Sequence, residues 1–216
     1  MSIRVRKPAV LQRIETPQDI EQGVKFLIAH DQRLAHVHRT TGLPPLRRQP
    51  GGFPALLYMI TEQMISLKAA HAIWQRVEAA FHPFDAAIMA NAAEEDYRAC
   101  GLSGPKLNAM RALAIAIADG SLDCNKLPDL ADAEVTAQLT RIKGIGDWTA
   151  QIYLLACLGR PDAWPAGDVA LQTAMQHALG LTDRPKAREM EALAQDWRPL
   201  RAIAARLLWA YYRHLK

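Results

Sequence analysis

Apolar residues recur along this chain at three- and four-residue intervals, the period of an α-helix that buries one face. After Thr16-Pro17, an N-cap residue followed by proline at the first helical position, Ile20, Val24, Leu27 and Ile28 share one side of a helix. From about Gln32 to Gly52 the chain is rich in basic residues and proline and ends in Pro50-Gly51-Gly52, which predicts a short helix and a loop. A long helix is predicted from Phe53-Pro54, with Leu56, Leu57, Ile60, Met64 and Leu67 as its apolar stripe. Shorter helices are expected over about 69–81, 84–91, 93–100 and 106–119, with Gly101 and Gly120 placed as C-terminal stops. Helical spacing continues through 130–156, 169–179 up to Gly180, 185–195 and 199–214. Only the first three dozen residues carry a weak strand signal, so the expected fold class is all-α. The expected organisation is one domain of two helical lobes with a cleft between them. One lobe spans about 53–160, and the other joins about 1–52 to 161–216.

Composition narrows the class without naming the chemistry. Half of the 216 residues are hydrophobic and 22% are charged, which is globular and long enough to bury a full core. Lys and Arg number 26 against 22 Asp and Glu, a net charge of +4 that permits a polyanionic partner but does not require one. Cys100, Cys124 and Cys157 are widely spaced, without the paired spacing that holds zinc or an iron–sulfur cluster, and are expected as reduced thiols. The basic opening Met1-Ser-Ile-Arg-Val-Arg-Lys-Pro8 leads into no apolar run, and no stretch approaches the ~18 apolar residues of a membrane span. The expectation is a cytoplasmic protein with no membrane association.

The chemistry concentrates in Leu139-Thr-Arg-Ile-Lys-Gly-Ile-Gly-Asp-Trp-Thr-Ala150. A helix ending near Thr140, a tight Gly144-Ile145-Gly146 turn and a helix opening at Asp147 leave backbone N–H groups at a positive dipole end, a site suited to phosphate. Glycines one residue apart also occur in plain helix–helix connectors. Arg141 and Lys143 beside the turn, and the carboxylate of Asp168 downstream, favour a helix-hairpin-helix that binds DNA. Asp168 precedes the predicted helix at Val169, so it reads as an N-cap as well as a functional carboxylate, and the two roles are compatible.

Four stretches resemble the helix-hairpin-helix DNA glycosylases, in the DNA-3-methyladenine glycosylase II branch. They are Gly52-Phe-Pro-Ala-Leu with Glu62-Gln-Met-Ile-Ser-Leu-Lys-Ala-Ala70, Gly101-Leu-Ser-Gly-Pro-Lys106, the hairpin with Asp168, and Trp197-Arg-Pro-Leu-Arg201 with Trp209. The resemblance covers roughly residues 50–212. The larger bacterial members carry an N-terminal β-domain that has no counterpart here, and Ile152 stands where the best-known member has a pocket tyrosine.

What the resemblance implies is hydrolysis of the bond between an alkylated purine and deoxyribose. The expected substrates are 3-methyladenine and 7-methylguanine, with hypoxanthine a further candidate. Asp168 would stabilise positive charge on the sugar and orient water. Trp148 and Trp209, with Tyr153 and Tyr58 as weaker candidates, would face a cationic base, each well-placed ring contributing ~0.5–2 kcal/mol. Trp164 and Trp197 read as core residues with satisfied indoles. Trp148 occupies the point where strand-cleaving relatives have a Schiff-base lysine, which implies a monofunctional enzyme.

The base must be flipped out of the duplex. Gln63 and Met64 hold the wedge position, where an apolar side chain enters the stack and an amide faces the orphaned base, although Met64 also fits the core stripe. Phosphate contacts are expected from Gly144, Gly146, Lys143 and Lys106, with Lys68 a further candidate. No cofactor is required. A monovalent cation could sit on carbonyls near Thr140, Ile142 and Ile145. The expected partner of a monomeric protein is double-stranded DNA containing alkylated bases. The competing readings are a non-catalytic DNA-binding module and a glycosylase for other damaged bases.

Overall fold

The computed structural model describes residues 11–216, so the basic opening discussed above lies outside the described residues. In chain order the helices are α1 (Pro17–His30), α2 (Gln32–Thr41), α3 (Phe53–Glu62), α4 (Leu67–Phe81), α5 (Ala86–Asn91) and α6 (Glu94–Ala99). They continue as α7 (Gly104–Ala118), α8 (Asp132–Thr140), α9 (Asp147–Ala156), α10 (Val169–Leu179), α11 (Ala187–Leu193) and α12 (Arg201–His214). Single 3-10 turns lie at Leu127–Asp129 and Gln195–Trp197, and the described residues contain no strand. No helix is long and apolar enough to cross a membrane among the described residues.

Two compact units are present. One comprises Gln49–Cys157; the other joins the described residues up to Arg48 with Leu158–Lys216. In the first, α7 packs against α3, α5 and α6, while α3 also meets α4 and α9, and α8 meets α9. Its core includes Leu56, Leu57, Met59, Ile60, Met110 and Leu113, all fully buried. In the second unit α12 is the central helix, packing against α1, α2 and α10, with Ile203, Leu207 and Leu208 buried.

Local signals set most helix ends. The Asp19 N–H donates to Thr16 Oγ1 at 3.2 Å while the Thr16 N–H donates to Asp19 Oδ2 at 2.8 Å, a reciprocal cap that starts α1. Asp31 ends α1 and starts α2, accepting from the Arg33 N–H at 2.8 Å and from the Arg33 guanidinium. Its second oxygen accepts the indole N–H of Trp197 at 2.8 Å from the far end of the sequence. Burial alone would raise the Asp31 pKa, but these bonds from Arg33 and Trp197 outweigh it and hold the carboxyl at about 2. Trp164 donates its indole N–H to the Met190 carbonyl at 3.3 Å and meets Trp197 edge-on. Both tryptophans are structural, as their sequence setting implied.

The long helix expected from Phe53 is divided. It stops at Glu62, and α4 begins afresh at Leu67 with Ser66 as N-cap, its hydroxyl accepting the Ala69 N–H at 3.2 Å. Met64 and Leu67 are therefore not on a core stripe; they are 94% and 67% exposed. Met64 holds φ +59°, a left-handed conformation that costs a non-glycine residue about 1–2 kcal/mol.

Candidate functional site

The turn between α8 and α9 is organised around buried Ile142 and Ile145, which plug it into the core. Gly144 has φ +90°, and a Cβ there would sit 2.4 Å from the Cβ of Ala109 on α7. Glycine is required at this position for both backbone and packing reasons. Gly146 differs: its φ is −99°, and a Cβ there would meet no protein atom within 4 Å. No neighbour in the chain demands a glycine at that point, and the space beside it is open.

Gly146 is also the N-cap of α9 and brings no side chain to satisfy the first N–H groups of that helix. Those donors, the dipole's positive end and exposed Arg141 and Lys143 form an arrangement that suits an oxyanion. The neutral carbonyls of Thr140, Ile142 and Ile145 suit a hard monovalent cation in kind. The Ile142 carbonyl already accepts the Ile145 N–H at 3.0 Å, which uses one of its two lone pairs. Among the described residues no group of three or more His, Cys, Asp or Glu converges to hold a metal ion.

Asp168 is held by a chain of anchors. Arg201 on α12 grips the approach to it through bonds to Asp162 Oδ1 at 2.8 Å and the Asp162 carbonyl at 2.9 Å. Gln172 on α10 donates to the Ala166 carbonyl at 2.9 Å. Asp168 then caps α10, Oδ1 accepting the Leu171 N–H at 2.8 Å. The same oxygen accepts the indole N–H of Trp209 at 3.0 Å, from α12. Asp168 is thus an N-cap with a half-buried carboxylate, and Trp209 is first of all its hydrogen-bond donor.

Gln63 was expected to turn its amide toward an orphaned base. Instead Nε2 donates to the Gly144 carbonyl at 3.1 Å and to Thr149 Oγ1 at 3.0 Å, bonds that tie the amide to the hairpin. Met64, the next residue, projects alone into solvent.

Lys106 is not a surface phosphate contact. It is buried, its Nζ donates to the Thr61 carbonyl at 2.7 Å, and burial lowers its pKa. The ammonium thereby satisfies a carbonyl in the last turn of α3, at the negative end of that helix's dipole. Tyr153 is likewise a core ring rather than a pocket wall: it is 1% exposed and its hydroxyl accepts the Gly52 N–H at 2.9 Å. Its pKa is pushed up to about 12, chiefly by burial.

Tyr58 is half-buried and meets Trp74 edge-on at 5.2 Å. Trp148 is half-buried near the start of α9, with Ile152 one turn further on, and Lys68 is exposed. Thr149, buried on α9 and bonded to Gln63, is marked out only by the structure.

The family model described as HhH-GPD superfamily base excision DNA repair protein matches residues 57–199. An alkylbase DNA glycosidase-like protein, mag2 of Schizosaccharomyces pombe, is 27% identical over 88% of this chain and 93% of its own. The crystal structure of a DNA-3-methyladenine glycosidase from Bacillus halodurans superposes with a TM-score of 0.74 at 30% identity, covering 93% of this chain and 91% of that one. The 3-methyladenine DNA glycosylase Mag1 of Schizosaccharomyces pombe, solved in complex with abasic DNA, superposes with a TM-score of 0.81 at 26% identity, covering 87% and 95%.

Proposed function

Since the chain belongs to the HhH-GPD superfamily of base excision DNA repair proteins, in its alkylation-repair branch, we propose that it excises 3-methyladenine and 7-methylguanine from double-stranded DNA, with hypoxanthine a further candidate substrate. The chain's likeness to the DNA-3-methyladenine glycosidase of Bacillus halodurans and to Mag1 of Schizosaccharomyces pombe supports this reading. The observation that carries the proposed chemistry is the carboxylate of Asp168, aimed by two donors, Leu171 N–H and Trp209 Nε1.

In the reaction the bond from C1′ to the purine nitrogen breaks, and its electron pair leaves with the base. Methylation at N3 or N7 makes the base cationic, so it departs neutral and needs little acid assistance. Positive charge develops on the sugar, and Asp168 stabilises it electrostatically. Water then bonds to C1′ and loses its proton, for which Asp168 is the acceptor we assign. The product is an abasic site in an unbroken strand. Trp148 has no amine with which to form a Schiff base, and its ring serves recognition of the cationic base through stacking and cation–π attraction. Trp209 and Tyr58 are assigned supporting contacts to the base.

Phosphate is assigned to the N–H groups at Gly146 and the first turn of α9, with Lys143 alongside. Met64 fills the gap left by the flipped nucleotide. A monovalent cation on the carbonyls of Thr140, Ile142 and Ile145 would add positive charge beside that phosphate. No cofactor takes part in bond cleavage, and a single chain acts on the DNA.

The deciding experiment incubates the purified protein with methylated duplex DNA and measures released bases and strand integrity. Release of 3-methyladenine and 7-methylguanine, with strands intact until heated in alkali, is the expected result. Binding without release would leave a DNA-binding module, and nicking without alkali would overturn the monofunctional assignment.

A further inference from the structure

We infer that Gln63 is a positioning residue that couples the wedge loop to the phosphate-binding turn, an inference that rests on the assignment of Met64 and the hairpin to DNA. One amide nitrogen reaches both parts of the hairpin: the turn, through the Gly144 carbonyl at 3.1 Å, and the second helix, through Thr149 Oγ1 at 3.0 Å. The partners lie 81 and 86 residues further along the chain, within the same compact unit.

The 144–145 peptide is consequently held at both ends. Its carbonyl accepts from Gln63, and its N–H donates to the Ile142 carbonyl at 3.0 Å. A peptide plane fixed on both sides cannot rotate without breaking one bond or the other. Its rigidity sets the direction of the next N–H, that of Gly146, and of the first turn of α9.

On the other side, Gln63 closes α3 and adjoins Met64, whose backbone is in the left-handed region and whose side chain is 94% exposed. An exposed side chain on a strained residue has little packing of its own to hold it in place. Anchoring Gln63 to the hairpin supplies that support. Seating a phosphate on the turn and inserting Met64 into the stack become two readings of one rigid piece. Gln63 has both amide contacts committed to the hairpin and acts through its neighbours, not by touching substrate.

The test is a double-mutant cycle on a duplex carrying a tetrahydrofuran abasic analogue, read by fluorescence anisotropy. The variants are Gln63→Met, Met64→Ala and the pair, with thermal melting recorded for each. Gln63→Met keeps length and loses the donor. The expected result is about tenfold weaker binding for Gln63→Met, and a Met64→Ala effect that largely disappears in the Gln63→Met background. Equal Met64→Ala effects in both backgrounds would overturn the inference.

Should Gln63→Met fail to fold, Thr149→Val, which removes the acceptor, is read against Thr149→Ser, which retains it. The Val variant is expected to lose the coupling to Met64 and the Ser variant to keep it; identical behaviour of the two would equally overturn the inference. Excision of 3-methyladenine and 7-methylguanine by the unmodified protein is measured in parallel. Absence of excision refutes the glycosylase reading, while the cycle on abasic DNA still reports whether Gln63 and Met64 are coupled.

Discussion

The indole N–H of Trp209 and the backbone N–H of Leu171 both end on Oδ1 of Asp168, at 3.0 and 2.8 Å. One donor comes from the helix that Asp168 caps and the other from α12, so the carboxylate is oriented by two separate elements. Asp168→Asn is expected to retain abasic-DNA binding and to lose about 10²–10³-fold or more in single-turnover excision, as for removal of a key transition-state charge. Trp209→Phe keeps a ring and removes the donor. It should lower the excision rate by about tenfold, with a smaller change in affinity. Near-normal turnover in Asp168→Asn would remove this residue from the chemistry.

The two hairpin glycines should respond differently to alanine. At Gly144 an added Cβ meets Ala109 at 2.4 Å and φ is +90°, so Gly144→Ala should destabilise the fold by about 2–4 kcal/mol in urea denaturation. At Gly146 no protein atom lies within 4 Å of an added Cβ. Gly146→Ala should unfold like the unmodified protein, within about 0.5 kcal/mol, and bind DNA more weakly because the methyl group obstructs a phosphate.

Two lysines that look alike in sequence are placed differently, Lys143 exposed and Lys106 buried. Lys143→Ala should lower the slope of log affinity against log salt by about 1, with stability little changed. Lys106 donates to the Thr61 carbonyl from a buried position, so Lys106→Ala should cost about 1–3 kcal/mol of stability and leave the salt slope unaltered. Melting curves and salt titrations on the two variants test the distinction directly.

Asp31 makes stability depend on acid. Its folded pKa is about 2 against an ordinary 3.8, so the folded state binds the proton less readily than the unfolded chain. The contribution is complete well above pH 3.8 and is lost as pH falls through that value toward about 2. Urea midpoints measured between neutral pH and pH 2.5 should fall through this window, and Asp31→Asn should flatten that part of the curve.

Helices and their ends were largely legible in the sequence because their causes are local. The 3.6-residue period, the Thr16 N-cap before Pro17, and the Asp168 cap with α10 running from Val169 to Leu179 before Gly180 all involve residues within a few turns of each other. The hairpin was legible for the same reason, since its turn is built from consecutive residues. The break between α3 and α4 was misread because Met64 and Leu67 continue an apolar period. Ser66, a good N-cap, was the local sign that a new helix begins.

Side-chain partners chosen across long separations were not legible. Gln63 on Gly144, Lys106 on Thr61, Tyr153 on Gly52, Trp209 on Asp168 and Trp197 on Asp31 are 81, 45, 101, 41 and 166 residues apart. The sequence by itself determined the all-α architecture, the turn and the candidate carboxylate, since periodicity and capping act over a few residues. Only the tertiary structure decided that Lys106 and Tyr153 are internal fasteners, that Gln63 is bonded to the hairpin and that Trp209 holds the acid. A long polar side chain has many partners within its chemistry, and burial with packing selects among them.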